Sequence, residues 1–238
     1  MKIVRSSFCY LLVLLTMHGL SVGQSNKHAN NYFLVLLNRP PNAPQLSPDD
    51  GEKLQAAHMA NIRKLHAEHK LVMAGPFMDE TFLRGIFVLA ANNKKKATAW
   101  TNSDPAVKAG RLSAEIYGPW TIHAVDIHAV DEDVHDMEQY TFILLKHGDR
   151  WAQGPTSDLM KQHAAFMQSQ KNSIAIDGLL TDGQSDLYEV VIYRIGLIPT
   201  SDLMQQDPAI QARLLTVEIH PWITAKGVLA PGQPLAKE

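Results

Sequence analysis

The chain has almost no cysteine and almost no net charge, and both shortages restrict its possible functions. Cys9 is the only cysteine in 238 residues. If the N-terminus is removed, disulfides, zinc-thiolate sites and thiol nucleophiles are therefore all excluded. The 22 basic and 24 acidic side chains leave a formal net charge of -2, which gives no electrostatic case for nucleic acid or an anionic membrane as partner. The expected partner is a small-molecule ligand or substrate, or another protein.

Motifs for nucleotide cofactors and for several hydrolase classes are also missing. The chain contains no G-x-G-x-x-G, no P-loop, no G-x-S-x-G and no zinc-protease motif. His66 and His69 share one helical face, but the sequence places no third ligand beside them. We therefore predict neither a cofactor nor a metal site.

The N-terminal segment 1–23 is typical of a secretory signal. Lys2 and Arg5 precede an apolar run over residues 8–15, which is too short to span a bilayer as a helix. The alternative is an N-terminal membrane anchor. We predict cleavage near residue 23 and a mature protein that is secreted or periplasmic, with no membrane contact after signal removal.

One stretch of sequence occurs twice, and this repeat organises the rest of the chain. DPAVKAGRLSAEIYGPW at 104–120 is followed 103 residues later by DPAIQARLLTVEIHPW at 207–222. A self-match at such a long period indicates two copies of one structural unit.

Each copy is predicted to contain strands and helices in the order βαββαβ. In the first copy the continuous apolar run at 32–37 predicts a buried strand, and Ser47 followed by Pro48 predicts the start of a helix. The remaining strands are predicted at 71–77 and 82–90 and in LSAEIYGPW, and YTFILL at 140–145 opens the same order again. This order is the ferredoxin-like unit, an α+β fold.

Two such units in one chain can cover each other's bare sheet face. We therefore predict that they pack sheet to sheet as an internal pseudo-dimer. The predicted segments are the signal peptide 1–23, the first unit 32–122, an acidic linker 123–139, the second unit 140–224 and a C-terminal tail 225–238.

A histidine lies on the apolar stripe of the first helix in both copies. His58 is followed after 21 residues by Asp79, and His163 after 19 residues by Asp182. Because helix and strand are neighbours in this unit, each aspartate is expected to reach its histidine. An aspartate that fixes one ring nitrogen leaves the other free as a base or nucleophile. The alternative is that each pair is buried and only holds the helix to the sheet.

Two further residues are candidates for ligand binding in the first copy. Arg84 in the third strand could hold an anionic group of a substrate if it points inward. Phe77 could form a wall of the pocket, and Pro76 before it stiffens the approach to Asp79. The second copy has leucines at these places and a shorter His-to-Asp interval. We therefore expect the first copy to carry any chemistry and the second to support it.

The segments YFLVLL, HMANIRKLHAEHKLVMAGPFMDE, LRGIFVLA and DPAVKAGRLSAEIYGPW resemble the YCII-related (YciI-like) domain family. The resemblance covers 32–120 well and 140–222 more loosely. It implies a dimeric alpha-beta barrel with a proposed His-Asp site, carried here by His58 and Asp79. Most members of the family have no assigned reaction. One member of similar fold is associated with eliminating chloride from a chlorinated hydroxyquinol, and a phosphohistidine role has been suggested for the histidine.

Three functions follow from these expectations. The first is an exported small-molecule enzyme, lyase or isomerase-like, in which His58 moves a proton. The second is a non-catalytic module that binds a small ligand, and the third is a module for oligomerisation, with a homo-oligomer as the product. The sequence does not identify the substrate or the reaction.

Overall fold

The computed structural model describes residues 31–123, 136–154, 157–181, 183, 185–194 and 196–229. The predicted signal peptide and Asp182 lie outside the described residues, as does the part of the predicted linker between His123 and Asp136. None of the helices within these ranges is long and apolar enough to cross a membrane.

Both copies have the predicted order of elements, with the second helix divided into two short ones. The first copy consists of β1 (Tyr32–Asn38), α1 (Pro48–Ala67), β2 (Leu71–Pro76), β3 (Leu83–Ala90), α2 (Lys94–Thr101), α3 (Pro105–Lys108) and β4 (Ser113–His123). The second consists of β5 (Met137–His147), a 3-10 turn (Trp151–Gln153), α4 (Ser157–Ser169), β6 (Ile174–Leu180), β7 (Leu187–Tyr193), α5 (Leu197–Met204), α6 (Pro208–Gln211) and β8 (Leu215–Ala225). Both ends of the predicted linker therefore lie in strands, β4 and β5.

Local side-chain hydrogen bonds set the starts of the helices that matter for the site. Ser47 Oγ accepts from the backbone N–H of Asp50 at the start of α1. Asp104 and Asp207 cap α3 and α6 in the same way, each with proline at the first helical position. The repeated Asp-Pro thus serves as a helix start in both copies.

The eight strands form one antiparallel sheet in the order β2-β3-β1-β4-β6-β7-β5-β8. The copies join edge to edge, because β4 pairs with β6. The outer strands β2 and β8 also meet: Phe77 forms a bridge with Trp222, and Thr224 Oγ1 donates to the carbonyl oxygen of Ala74 at 2.8 Å. The sheet therefore closes into a barrel, and its edge strands are paired rather than left open.

The inner faces of both copies share one apolar core, which confirms the expectation that the sheets face each other. Trp120 and Trp222 lie fully buried in this core. Each indole packs over a glycine of the neighbouring copy's edge strand, where a β-carbon would lie 2.5 Å (Gly178) or 2.8 Å (Gly75) from Nε1. The helices pack on the outside, over two separate apolar clusters. The space between α1 and the outer face of the sheet holds the candidate site.

Candidate functional site

His58 lies on the side of α1 that faces the sheet, and its ring stacks on Phe87 with the centroids 5.9 Å apart. Its Nδ1 lies 2.9 Å from both carboxylate oxygens of Asp104. Asp104 is fully buried and also accepts hydrogen bonds from Asn61 Nδ2 and from the backbone N–H groups of Ala106 and Val107. This set of donors fixes the carboxylate. A carboxylate on Nδ1 places the proton there and leaves the lone pair on Nε2.

The predicted pairing of His58 with Asp79 is wrong. Asp79 Oδ2 lies instead 2.6 Å from Nδ1 of His220, in the second copy. The reason is barrel closure, because β2 runs along β8 and Asp79 follows the end of β2. Asp79 therefore lies at the junction between the copies, on the strand edge and not beneath α1.

His163 has two carboxylate partners among the described residues, and its predicted partner, Asp182, lies outside them. Nδ1 lies 2.7 Å from Asp207 and Nε2 lies 2.8 Å from Glu189, with all three residues buried. Burial alone would lower the pKa of His163, but the hydrogen bonds to both carboxylates outweigh it and raise the pKa to about 9. His163 is therefore a buried imidazolium with both N–H groups occupied.

The repeat itself contained the signal for the true partners. Asp104 and Asp207 are the first residues of the two DPA segments, 46 and 44 residues after their histidines. In the sequence these aspartates were recognised only as part of the repeat. Helix capping alone explains why each copy has an aspartate at this position. Because each copy also has a histidine at the same place in its first helix, the repeat further indicated that the histidine and the aspartate are in contact.

A cavity of about 820 Å³ lies between α1 and the outer face of β2 and β3, and His58 lines it. Its walls are largely apolar, with Leu54, Met59, Ile62, Leu71, Ala74 and Phe87 among the lining residues. Of the two residues predicted to bind a ligand, Arg84 lines the cavity and Phe77 does not. Phe77 packs in the barrel interior, edge-on to Phe142, because the end of β2 turns it inward.

His58 and His163 differ in the residue that lies opposite Nε2. Leu37 and Leu145 occupy the same position in the first strand of each copy, and they pair with Gly85 and Glu189 respectively. Gly85 is therefore the counterpart of Glu189. The first copy thus lacks the second carboxylate, and Nε2 of His58 has no hydrogen-bond partner among the described residues. The volume available beside His163 is also smaller, about 420 Å³. Within the described ranges, the first copy alone combines an available imidazole nitrogen with a large cavity.

Metal ligation has little support in the part of the chain that the structure describes. No group of three or more His, Cys, Asp or Glu residues is arranged there to hold a metal ion. His163 has no nitrogen left for coordination, and His58 has only Nε2.

Comparison with known proteins identifies the first copy and the fold. The family model of the YCII-related domain matches residues 32–121. A variant of the chlorite dismutase from Candidatus Nitrospira defluvii is 10% identical and superposes with a TM-score of 0.54, covering 85% of this chain and 92% of that one. A heme-binding protein from Thermus thermophilus is 11% identical with a TM-score of 0.48, covering 82% of this chain and 90% of that one.

A third structure resembles less of the chain. It is the 5-chloro-2-hydroxyhydroquinone dehydrochlorinase of Burkholderia phenoliruptrix AC1100 in complex with 2,5-dihydroxybenzoquinone, which is 20% identical with a TM-score of 0.29 over 36% of this chain and 89% of that one. No curated protein sequence matches the chain significantly. The likeness to the chlorite dismutase variant shows the fold, a dimeric alpha-beta barrel, and the family model shows a YCII-related domain at residues 32–121.

Proposed function

We propose, starting from the YCII-related domain that residues 32–121 form, that this chain is an enzyme that moves a proton on a small organic molecule. The observation that carries the proposal is the environment of His58. Nδ1 is held by a buried carboxylate, while Nε2 has no partner among the described residues and the ring lines a cavity of about 820 Å³. A volume of this size suits a ligand of drug-like size.

In this mechanism Nε2 of His58 takes a proton from an acidic C–H or O–H group of the bound molecule. Asp104 keeps the ring in position and stabilises the imidazolium that forms. Return of the proton to a neighbouring atom completes an isomerisation. In an elimination, the electron pair of the broken C–H bond forms a double bond as the leaving group departs with its own pair. Both outcomes belong to the lyase or isomerase-like class.

Proton transfer can be tested before the natural substrate is known. We expect the purified chain lacking residues 1–23 to accelerate deuterium incorporation into, or elimination from, at least one member of a panel of small carbon acids in D2O, followed by NMR. The same panel is run with His58→Asn as control. Binding of panel members without exchange or product would contradict the enzyme and favour the alternative, a non-catalytic ligand-binding module.

Export is a separate proposal, based on the charge and apolar pattern of residues 1–23. We expect mass spectrometry of the natural protein to show a mature chain that begins close to Gln24 and lacks Cys9. An intact N-terminus at Met1 in a cytoplasmic pool would contradict this proposal. The oligomeric state is measured on the same mature material by light scattering, which tests the predicted homo-oligomer.

A further inference from the structure

Three arginines come together at one end of the cavity beside His58. Arg39 follows β1, Arg84 lies near the start of β3, and Arg111 precedes β4. These strands are neighbours in the order β3-β1-β4, and Asn38 at the end of β1 pairs with both Leu83 and Ser113. The backbone therefore brings the three side chains to the same end of the sheet, and all three line the cavity. We call Arg39, Arg84 and Arg111 the arginine cluster.

No carboxylate neutralises the arginine cluster in the described part of the chain. Arg84 donates to the carbonyl oxygen of Thr81 and Arg111 to that of Pro44, each at 3.1 Å. Among the described residues no aspartate or glutamate lines the cavity, whereas Arg63 adds a fourth guanidinium to its lining. Partial burial and the positive charges of Arg111 and Arg84 lower the pKa of Arg39, as expected for cations held close together.

The second copy shows that this fold does not require the cluster. According to the strand registers, the positions of Arg39, Arg84 and Arg111 correspond in the second copy to His147, Tyr188 and Leu214. None of these three counterparts carries a permanent positive charge. The first two belong to an aromatic group in which His147 stacks on Trp151 at 3.8 Å, and Leu214 is buried in the outer core. The second copy also has Glu189 where the first copy has Gly85. The site of the first copy is therefore cationic and open, whereas the site of the second copy is occupied by a carboxylate.

We propose that the arginine cluster binds an oxyanion, a carboxylate or phosphate group, on the molecule that His58 acts on. This inference rests on the proposed function and adds the class of substrate. Guanidinium groups bind such oxyanions through paired, charge-assisted hydrogen bonds. The apolar walls near Leu54, Ile62 and Phe87 suit the hydrophobic body of the same molecule. The substrate is thus a small apolar or aromatic acid that is held by its anionic end.

The test uses benzoate, phenyl phosphate and neutral benzamide as probes of similar size. Their dissociation constants are measured by NMR titration of the mature chain at low salt. We expect benzoate or phenyl phosphate to bind at least about tenfold more tightly than benzamide, and the double variant Arg39→Gln/Arg84→Gln to lose this preference. A higher affinity for benzoate identifies a carboxylate site, and a higher affinity for phenyl phosphate identifies a phosphate site.

A matched control separates this inference from general charge effects and from the proposed function. Arg150→Gln removes an exposed arginine of the second copy that, like Arg111, donates to a backbone carbonyl, and it is expected to leave anion binding unchanged. His58→Asn is expected to keep the preference for the anion even though proton transfer is lost. Equal affinity for benzoate, phenyl phosphate and benzamide, absence of binding by all three, or equal losses in the double variant and in Arg150→Gln would overturn the inference. Proton exchange that does not depend on the cluster would overturn it while leaving the proposed function standing.

Discussion

His58→Asn is expected to lower kcat/KM by about 100-fold or more on any substrate found by the exchange assay, because a positioned general base contributes about 10²–10⁴-fold. The asparagine amide can occupy the place of Nδ1 and donate to Asp104, so the buried carboxylate keeps a partner. What the substitution removes is Nε2, the nitrogen beside the cavity. The variant therefore separates the proposed catalytic role of the ring from its structural role.

The fold of His58→Asn is checked by its melting temperature, which we expect to stay within a few degrees of the wild-type value. His58 is partly exposed, with 13% of its side-chain surface accessible, and only one of its nitrogens is bonded to a carboxylate. Exchange or turnover at the wild-type rate in a folded variant would show that His58 is not the base. Loss of folding would instead support the structural interpretation of the pair.

The order of elements could be predicted from the sequence because its signals are local. Five of the seven residues of β1 are buried, so the strand reads as an unbroken apolar run. α1 begins at Ser47-Pro48, where the cap and the first helical residue are adjacent. Closure of the barrel depends on contacts such as Thr224 with Ala74, 150 residues apart, which no local pattern specifies.

The histidines of the site were predictable and their partners were not. The spacing of apolar residues within each helix shows that His58 and His163 face the sheet, because this pattern depends only on residues of one helix. Choosing between Asp79 and Asp104 requires knowing where β2 ends relative to β8. The arginine cluster was found only in part, because Arg39 and Arg111 lie outside the strands and their meeting depends on sheet order.

The structural contrast between the two copies is not the one that the sequence suggested. Pro76 and Phe77 were expected to shape the first pocket, but Phe77 packs inside the barrel. The copies differ instead in the residue opposite Nε2 of the histidine, which is Gly85 in the first copy and Glu189 in the second. A β-carbon at Gly85 would lie 2.7 Å from the carbonyl oxygen of Gly75, so the strands there approach closely and the site stays free of a second carboxylate.

The second large effect is expected from His163→Asn, which should lower the free energy of unfolding by about 3–5 kcal/mol at pH 6.5, the usual cost of breaking a buried ion pair. The asparagine can still donate to Asp207, but Glu189 is left buried, with 5% of its side chain exposed, and without the N–H that it bonds in the wild type. For a chain of this size the melting temperature should fall on the order of 10 °C. Chemical denaturation beside His58→Asn, which should lose much less, measures the difference between the copies.

The same pair makes the stability of the wild-type protein depend on pH in a definite direction. The folded state raises the pKa of His163 from 6.5 to about 9, so its contribution is fully present below about pH 6.5 and is lost as the pH rises through about 9. The shift corresponds to about 3 kcal/mol. Burial alone would lower the pKa of His220, but hydrogen bonding to Glu218 and Asp79 raises it, so this histidine adds to the loss in the same direction.

His163→Asn should therefore remove most of the pH dependence and leave the part that belongs to His220. The difference in unfolding free energy between wild type and variant should be largest near pH 6.5 and should shrink towards pH 9, because the wild type then loses its own imidazolium. A structural cation explains this convergence, whereas a neutral buried histidine would give a difference that stays constant above about pH 7. If the two stability curves run parallel from pH 6 to pH 9, His163 is not the charged centre of the second copy, and the contrast between a catalytic and a structural histidine in one chain fails.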